Sequence, residues 1–139
     1  MQKKHRIILD TNLWISFLLT KQFSFLDELF EKRKVQLIFS KELFDEFLEV
    51  IKRPKLSKYF TDRDVEDLIE IIDQYAEFIN VTSKVIVCRD QKDDFLLSLS
   101  KDSNANFLIT GDKDLLILKQ YEKTVILNIF DYKQLLVSS

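Results

Sequence analysis

The chain has 139 residues, 46% of them apolar and 12% aromatic, with 32% charged and a formal net charge of −2. This make-up fits one packed, water-facing domain; it excludes a disordered chain and a strongly basic nucleic-acid binder, so any nucleic-acid chemistry must sit in a local site. No apolar run approaches the roughly 18 residues that span a bilayer; no apolar leader segment follows Met1 and Cys88 is the single cysteine, so a cytoplasmic protein without an internal disulfide is expected.

One glycine (Gly111) and one proline (Pro54) leave almost no hinge chemistry, and residues 1–139 read as one domain without repeats. His5 to Leu9 is a short apolar run ending at Asp10, and Thr11 to Leu19 is longer and mostly apolar: a strand, then a buried helix. Phe23 to Lys34 places Phe23, Leu26, Leu29 and Phe30 at helical spacing. Val35 to Phe39 reads as the second strand. Ser40 caps a helix that runs to about Lys52 and is ended by Arg53-Pro54.

Thr61 is a helix cap followed by the first-turn acids Asp62 and Asp64, and the stripe from Val65 to Ile79 predicts an amphipathic helix over that span. Val85-Ile86-Val87 predicts the third strand, Asp93 to Ser103 a helix, Asn106 to Thr110 the fourth strand and Lys113 to Tyr121 a helix. Thr124 to Leu127 is the fifth strand and Phe130 to Leu136 a closing helix. Continuous apolar strands separated by helices predict an α/β fold, a three-layer sandwich with a central parallel sheet of about five strands flanked by helices. In such sheets ligands sit at the carboxyl ends of the strands, where strand order reverses.

Asp10 falls at the end of the first strand, Asp112 just after the fourth, and Asp93 at the start of the helix after the third. Parallel packing brings all three to one rim. The fourth acid comes from Glu42, Asp45, Glu46 and Glu49. At about 100° per residue, Glu46 lies at the edge of the apolar arc and the other three point further out. Carboxylates brought together repel by roughly 4 kcal/mol per pair at about 4 Å and an effective dielectric near 20. A divalent cation cancels that cost, and oxygen-only ligands select Mg²⁺ or Mn²⁺; one His and one Cys far apart in sequence count against a zinc site. Such an ion can bind a phosphate, activate water and stabilise a leaving oxygen, which points to phosphodiester hydrolysis. Thr11, Asn12 and Thr110 can orient the carboxylates, and Gly111 sits where a sharp turn is expected.

The segments Leu9-Asp10-Thr11-Asn12, Ser40 to Glu46 leading to Arg53-Pro54-Lys55, Arg89 to Asp94, and Ile109 to Leu116 together resemble the PIN domain, in its branch of toxin components from prokaryotic toxin–antitoxin pairs. The resemblance covers nearly the whole chain. It implies a Mg²⁺- or Mn²⁺-dependent endoribonuclease acting on single-stranded RNA, often dimeric and held inactive by a small antitoxin. Its four acids fall on Asp10, Glu46, Asp93 and Asp112, with Asp114 as an additional acid and Asn12 and Thr110 as matching polar positions. The chain departs from the family in having few glycines and in reading Asp102-Ser103-Asn104-Ala105-Asn106 where a small-residue pair is common.

Taken singly, Asp93 reads equally well as a helix cap, Asp112 as a turn residue and Glu46 as a solvated acid, and Asp90 and Asp94 could exchange roles with Asp93. Arg53, Lys92 and Lys113 are the basic residues nearest the acidic motifs and the candidates for RNA contact. The phenylalanines between Phe17 and Phe30 are core residues or the cover for a dimer mate or antitoxin helix. A phosphatase or phosphotransferase with an aspartyl nucleophile is the rival reading, although that chemistry usually wants a second acid where Asn12 stands. A catalytically silent module binding RNA or protein is the third.

Overall fold

The computed structural model describes residues 5–33 and 35–138, apart from the side chain of Ser138, so Lys34 at the end of one expected helix lies outside them. Six strands, β1 (Arg6–Leu9), β2 (Gln36–Phe39), β3 (Ala76–Phe78), β4 (Phe107–Ile109), β5 (Gln120–Tyr121) and β6 (Thr124–Leu127), form one sheet in the order β3-β2-β1-β4-β6-β5. All neighbours pair in parallel except β5 and β6. Helices α1 (Thr11–Thr20), α2 (Phe23–Asp27), α3 (Lys41–Ile51), α4 (Pro54–Ser57), α5 (Asp62–Tyr75), α6 (Gln91–Ser103), α7 (Lys113–Leu116) and α8 (Ile129–Ser138) flank it, with a π-helical turn at Glu28–Lys32 extending α2. Among the described residues no helix is long and apolar enough to cross a membrane.

The core is the sheet's apolar strands packed on Trp14, Leu18, Phe47, Leu68, Leu97 and Tyr132, each of them buried. Phe17, Leu26, Leu29 and Phe30 are also buried inside the chain, so those side chains are core rather than an open apolar face. Chain order runs outward from β1 to β2 and β3, then returns to the other side of β1 for β4. The reversal point therefore lies between β1 and β4, and a crevice opens there beyond the strand ends. Local chemistry sets the helix starts that matter. Asp10 caps α1 by accepting from the Leu13 amide, and Ser40 caps α3 by accepting from the Leu43 amide. Thr61 and Asp64 form a reciprocal capping box at α5, with bonds of 3.1 and 2.9 Å.

Three expected elements differ. The stripe that predicts a helix to Ile79 ends at Tyr75, because Ala76–Phe78 pairs with Leu37–Phe39 as β3. A two-pronged ion pair from Arg6 on β1 to Glu77, at 3.0 and 3.2 Å, ties that edge strand across the sheet. The helix expected to reach Tyr121 stops at Leu116, since Lys119 and Glu122 both take positive φ and the chain turns back as the β5–β6 hairpin.

The third difference is Val85–Val87, which forms no strand and joins none of the strands among the described residues. Side chains of α6 satisfy its backbone instead. Asp102 accepts from the amides of Thr82 and Ser83 at 2.6 and 2.9 Å and from the Ser83 hydroxyl; Ser98 accepts from Val85 at 3.0 Å; Asp94 accepts from Val87 and Cys88 at 2.9 and 2.7 Å. These three residues recur every fourth position, on one face of the helix. Asp102→Ala removes the carboxylate that three donors share and should lower unfolding stability by about 2–3 kcal/mol, read as a shift of the urea midpoint at unchanged slope.

Candidate active site

The carboxyl ends of β1, β2 and β4 and the first turn of α6 surround a cleft of about 530 Å³ at the sheet's reversal point. Asp10, Glu42, Glu46, Asp90, Asp93 and Asp112 line it, faced only by Arg53 and Lys92 among the cations of its lining. Acids in such excess repel strongly in a part-buried site.

Asp10 and Asp112 are joined by one threonine. The pairing of Leu9 with Ile109 sets the two strand ends level, and the Asp10 amide donates to the Ile109 carbonyl at 3.2 Å. The buried Thr110 hydroxyl donates to Asp10 Oδ2 and accepts from the Asp112 amide at 3.0 Å. Asp10 Oδ1 accepts from Leu13 at 2.9 Å, so both of its oxygens are engaged. Burial raises the Asp10 pKa above the usual carboxylate value, and the Thr110 hydroxyl and the Leu13 and Gly111 amides offset part of that rise. Gly111 does not take a positive φ, and a Cβ there would meet nothing within 4 Å. The expected steric need for glycine at this turn is absent.

Asp93, Asp112 and Asp114 each offer one oxygen within 4.8 Å of the others. Asp93 is buried, and its Oδ2 has no hydrogen-bond partner among the described residues. Burial, then the charge of Asp112, pushes the Asp93 carboxyl up to about 6, with Asp90 and Asp114 adding to the effect. A buried carboxylate that carries a donorless oxygen and stands close to two further carboxylates is a setting whose charge a cation would offset. Three oxygen donors suit a hard divalent ion such as Mg²⁺.

Asp93 and its two neighbouring acids face different surroundings. Asp94 points to the 82–88 segment, where the Cys88 and Val87 amides hold its carboxyl below the usual range. Asp90 caps α6 by accepting from the Lys92 amide at 2.9 Å. Only Asp93 of the three is buried within the acidic group.

Glu46 lines the cleft but stands outside the three-acid group, held by the Thr11 hydroxyl at 3.0 Å and Lys92 Nζ at 3.2 Å. Both oxygens of Asp114 accept from Arg89 Nη2, at 2.8 and 3.0 Å. Asn12 and Arg53 are exposed on the cleft wall, whereas Lys113 is exposed and absent from the lining. Glu42 is exposed, further out than Glu46 as expected, and still forms part of the cleft lining, which sequence reasoning missed. Its position in the first turn of α3, directly over the end of β2, was the available signal. Burial, then Asp94, pushes the Cys88 thiol up to about 11, which keeps it protonated and unreactive.

A family profile described as PIN domain matches residues 6–114, a span that contains every acid of the cleft. An uncharacterized protein of Methanocaldococcus jannaschii is 30% identical over 129 residues, covering 90% of this chain and 82% of that protein. A chain in the crystal structure of VapBC2 from Rickettsia felis bound to a DNA fragment from their promoter matches with a TM-score of 0.56 at 17% identity, over 88% of this chain and 98% of that one. The last of these is a likeness of fold.

Proposed function

This chain belongs to the PIN domain family, and we propose on that premise that it is a Mg²⁺- or Mn²⁺-dependent endoribonuclease that hydrolyses phosphodiester bonds in single-stranded RNA. The observation that carries this reading is the buried, unpartnered Oδ2 of Asp93 beside Asp112 and Asp114. Asp93, Asp112 and Asp114 would hold the ion, with Asp10 and Glu46 completing the acidic wall. When bound, the ion supplies charge neutralisation, a lowered pKa for attacking water and stabilisation of the leaving oxygen.

The remaining residues position and screen. Thr110 fixes the Asp10 carboxylate and ties it to the Asp112 backbone, and the Thr11 hydroxyl donates to Glu46. Asn12 offers amide contacts from the cleft wall. Arg53 and Lys92 face the cleft and can track the phosphates on either side of the scissile bond, with Lys113 as a contact further out. Both oxygens of Asp10 are already committed to donors, which counts against an aspartyl nucleophile and so against a phosphatase.

The biological setting we propose is the toxin of a toxin–antitoxin pair, cytoplasmic and homodimeric, silenced by a small antitoxin. The fold likeness to a chain of VapBC2 supports it. The purified protein should release fragments from an RNA pool with Mn²⁺ and none in EDTA. No cleavage by protein shown to bind the metal overturns the nuclease reading.

A further inference from the structure

We infer that one unpaired nucleobase of the substrate docks beside the catalytic cleft, stacked on Phe78 in a second groove; this rests on the ribonuclease reading above. Phe78 is the last residue of β3, so parallel pairing puts it on the same rim as the acids. Its ring is stacked on Phe39, with centroids 5.7 Å apart and planes 30° apart, and Phe44 meets it edge-on at 6.1 Å. Even so the residue is 49% exposed. An aromatic ring fixed by two others yet open to solvent loses no conformational freedom when a base stacks on it, which makes it a preorganised platform.

The open side gives onto a groove of about 540 Å³ lined by Lys41, Glu42, Asp45, Phe78, Ile79 and Asn80. Glu42 also lines the acidic cleft, so the two depressions meet across the first turn of α3. The groove's charge selects what enters it. Glu42 and Asp45 outnumber Lys41 and repel a phosphodiester, but carboxylates accept hydrogen bonds from the amino groups of bases, and the Asn80 amide can both donate and accept. A strand lying in the cleft with its phosphates near Arg53 and Lys92 would splay one base over α3 onto Phe78. A base bearing an exocyclic amine, such as adenine, fits best.

The test is fluorescence anisotropy in EDTA with two probes, a short labelled oligoadenylate and the corresponding abasic phosphodiester strand. Wild type should bind the oligoadenylate more tightly, and Phe78→Leu should weaken that binding by ~5- to 100-fold while the abasic strand binds both proteins alike. Phe78→Tyr, which keeps a stacking face and the packing against Phe39, should restore it. Equal oligoadenylate affinities for wild type and Phe78→Leu overturn the subsite, as does a change in oligomeric state on Phe78→Leu with RNA affinity unaltered, which would make the groove an interface between copies of the chain. Cleavage assays in Mn²⁺ run alongside separate the two claims. Cleavage by wild type with equal affinities sinks the subsite alone, and a base-dependent affinity lost in Phe78→Leu without cleavage by wild type supports the subsite and sinks the nuclease.

Discussion

Asp112→Asn should cut Mn²⁺-dependent RNA cleavage by ~10³-fold or more, since stabilisation by a bound metal is worth several kcal/mol in the transition state and each tenfold is about 1.4 kcal/mol. The same substitution should leave the melting temperature of the metal-free protein unchanged or higher. Asp112 caps α7 through Oδ1, which accepts from the Asp114 amide at 2.8 Å. Asparagine keeps that oxygen and caps a helix about as well, so the fold loses nothing local. What disappears is one negative charge from a crowded group, and with it one anionic ligand. Activity retained within a few-fold of wild type would remove Asp112 from the chemistry, and a loss of activity accompanied by a lower melting temperature would point to misfolding instead.

The second large effect concerns Asp93 and is one of stability. Its folded pKa of about 6 lies above the ordinary value of 3.8. The folded state therefore binds the proton more tightly than the unfolded chain does. Stability from this group is fully present below pH 3.8 and is lost as pH rises to about 6, the two pKa values that bound the window. The gap of about 2 units corresponds to on the order of 3 kcal/mol. In EDTA, Asp93→Asn should match wild type near pH 4 and exceed it by about that amount above pH 6.5, measured as the difference between paired urea titrations. Pairing the proteins cancels the carboxylates that titrate the other way, such as Asp94, whose pKa is lowered. Saturating Mn²⁺ should stabilise wild type at pH 7.5 and close the gap, because an ion bound only by the folded state adds stability by mass action. A flat difference across this range would mean that the Asp93 carboxyl is not strained.

The parts of this fold that are readable from the chain alone are those fixed within a few residues. Ser40 and Thr61 announce their helices because a cap is a local hydrogen bond to an amide three residues on, and Asp10, read from the sequence only as a strand end, makes the same bond. The convergence of Asp10 and Asp112 follows from two apolar runs ending in acids, given that parallel strands align their carboxyl ends. What stays hidden depends on partners far along the chain. Ala76–Phe78 continues the apolar stripe of α5 and becomes a strand only because β2 offers it an edge. Val85-Ile86-Val87 has the β-branched composition of a strand, yet Ile86 is 88% exposed and the backbone is claimed by α6 instead. Helix phase separates Glu46 from its neighbours but cannot say that Glu42, over the end of β2, also reaches the cleft.

The way α6 holds the 82–88 segment has a practical meaning. Five backbone amides and one hydroxyl are gripped there, and most of the side chains play no part in the holding. The exposed positions of that stretch, Thr82, Lys84, Ile86 and Val87, are therefore free to change so long as each residue still carries its N–H, while Val85 and Cys88 pack on the core and the helix that reads the segment is not free. Position 86 is then a natural anchor for a fluorophore or an affinity handle, since a cysteine placed there would project into water while the helix that supplies Asp93 stays undisturbed.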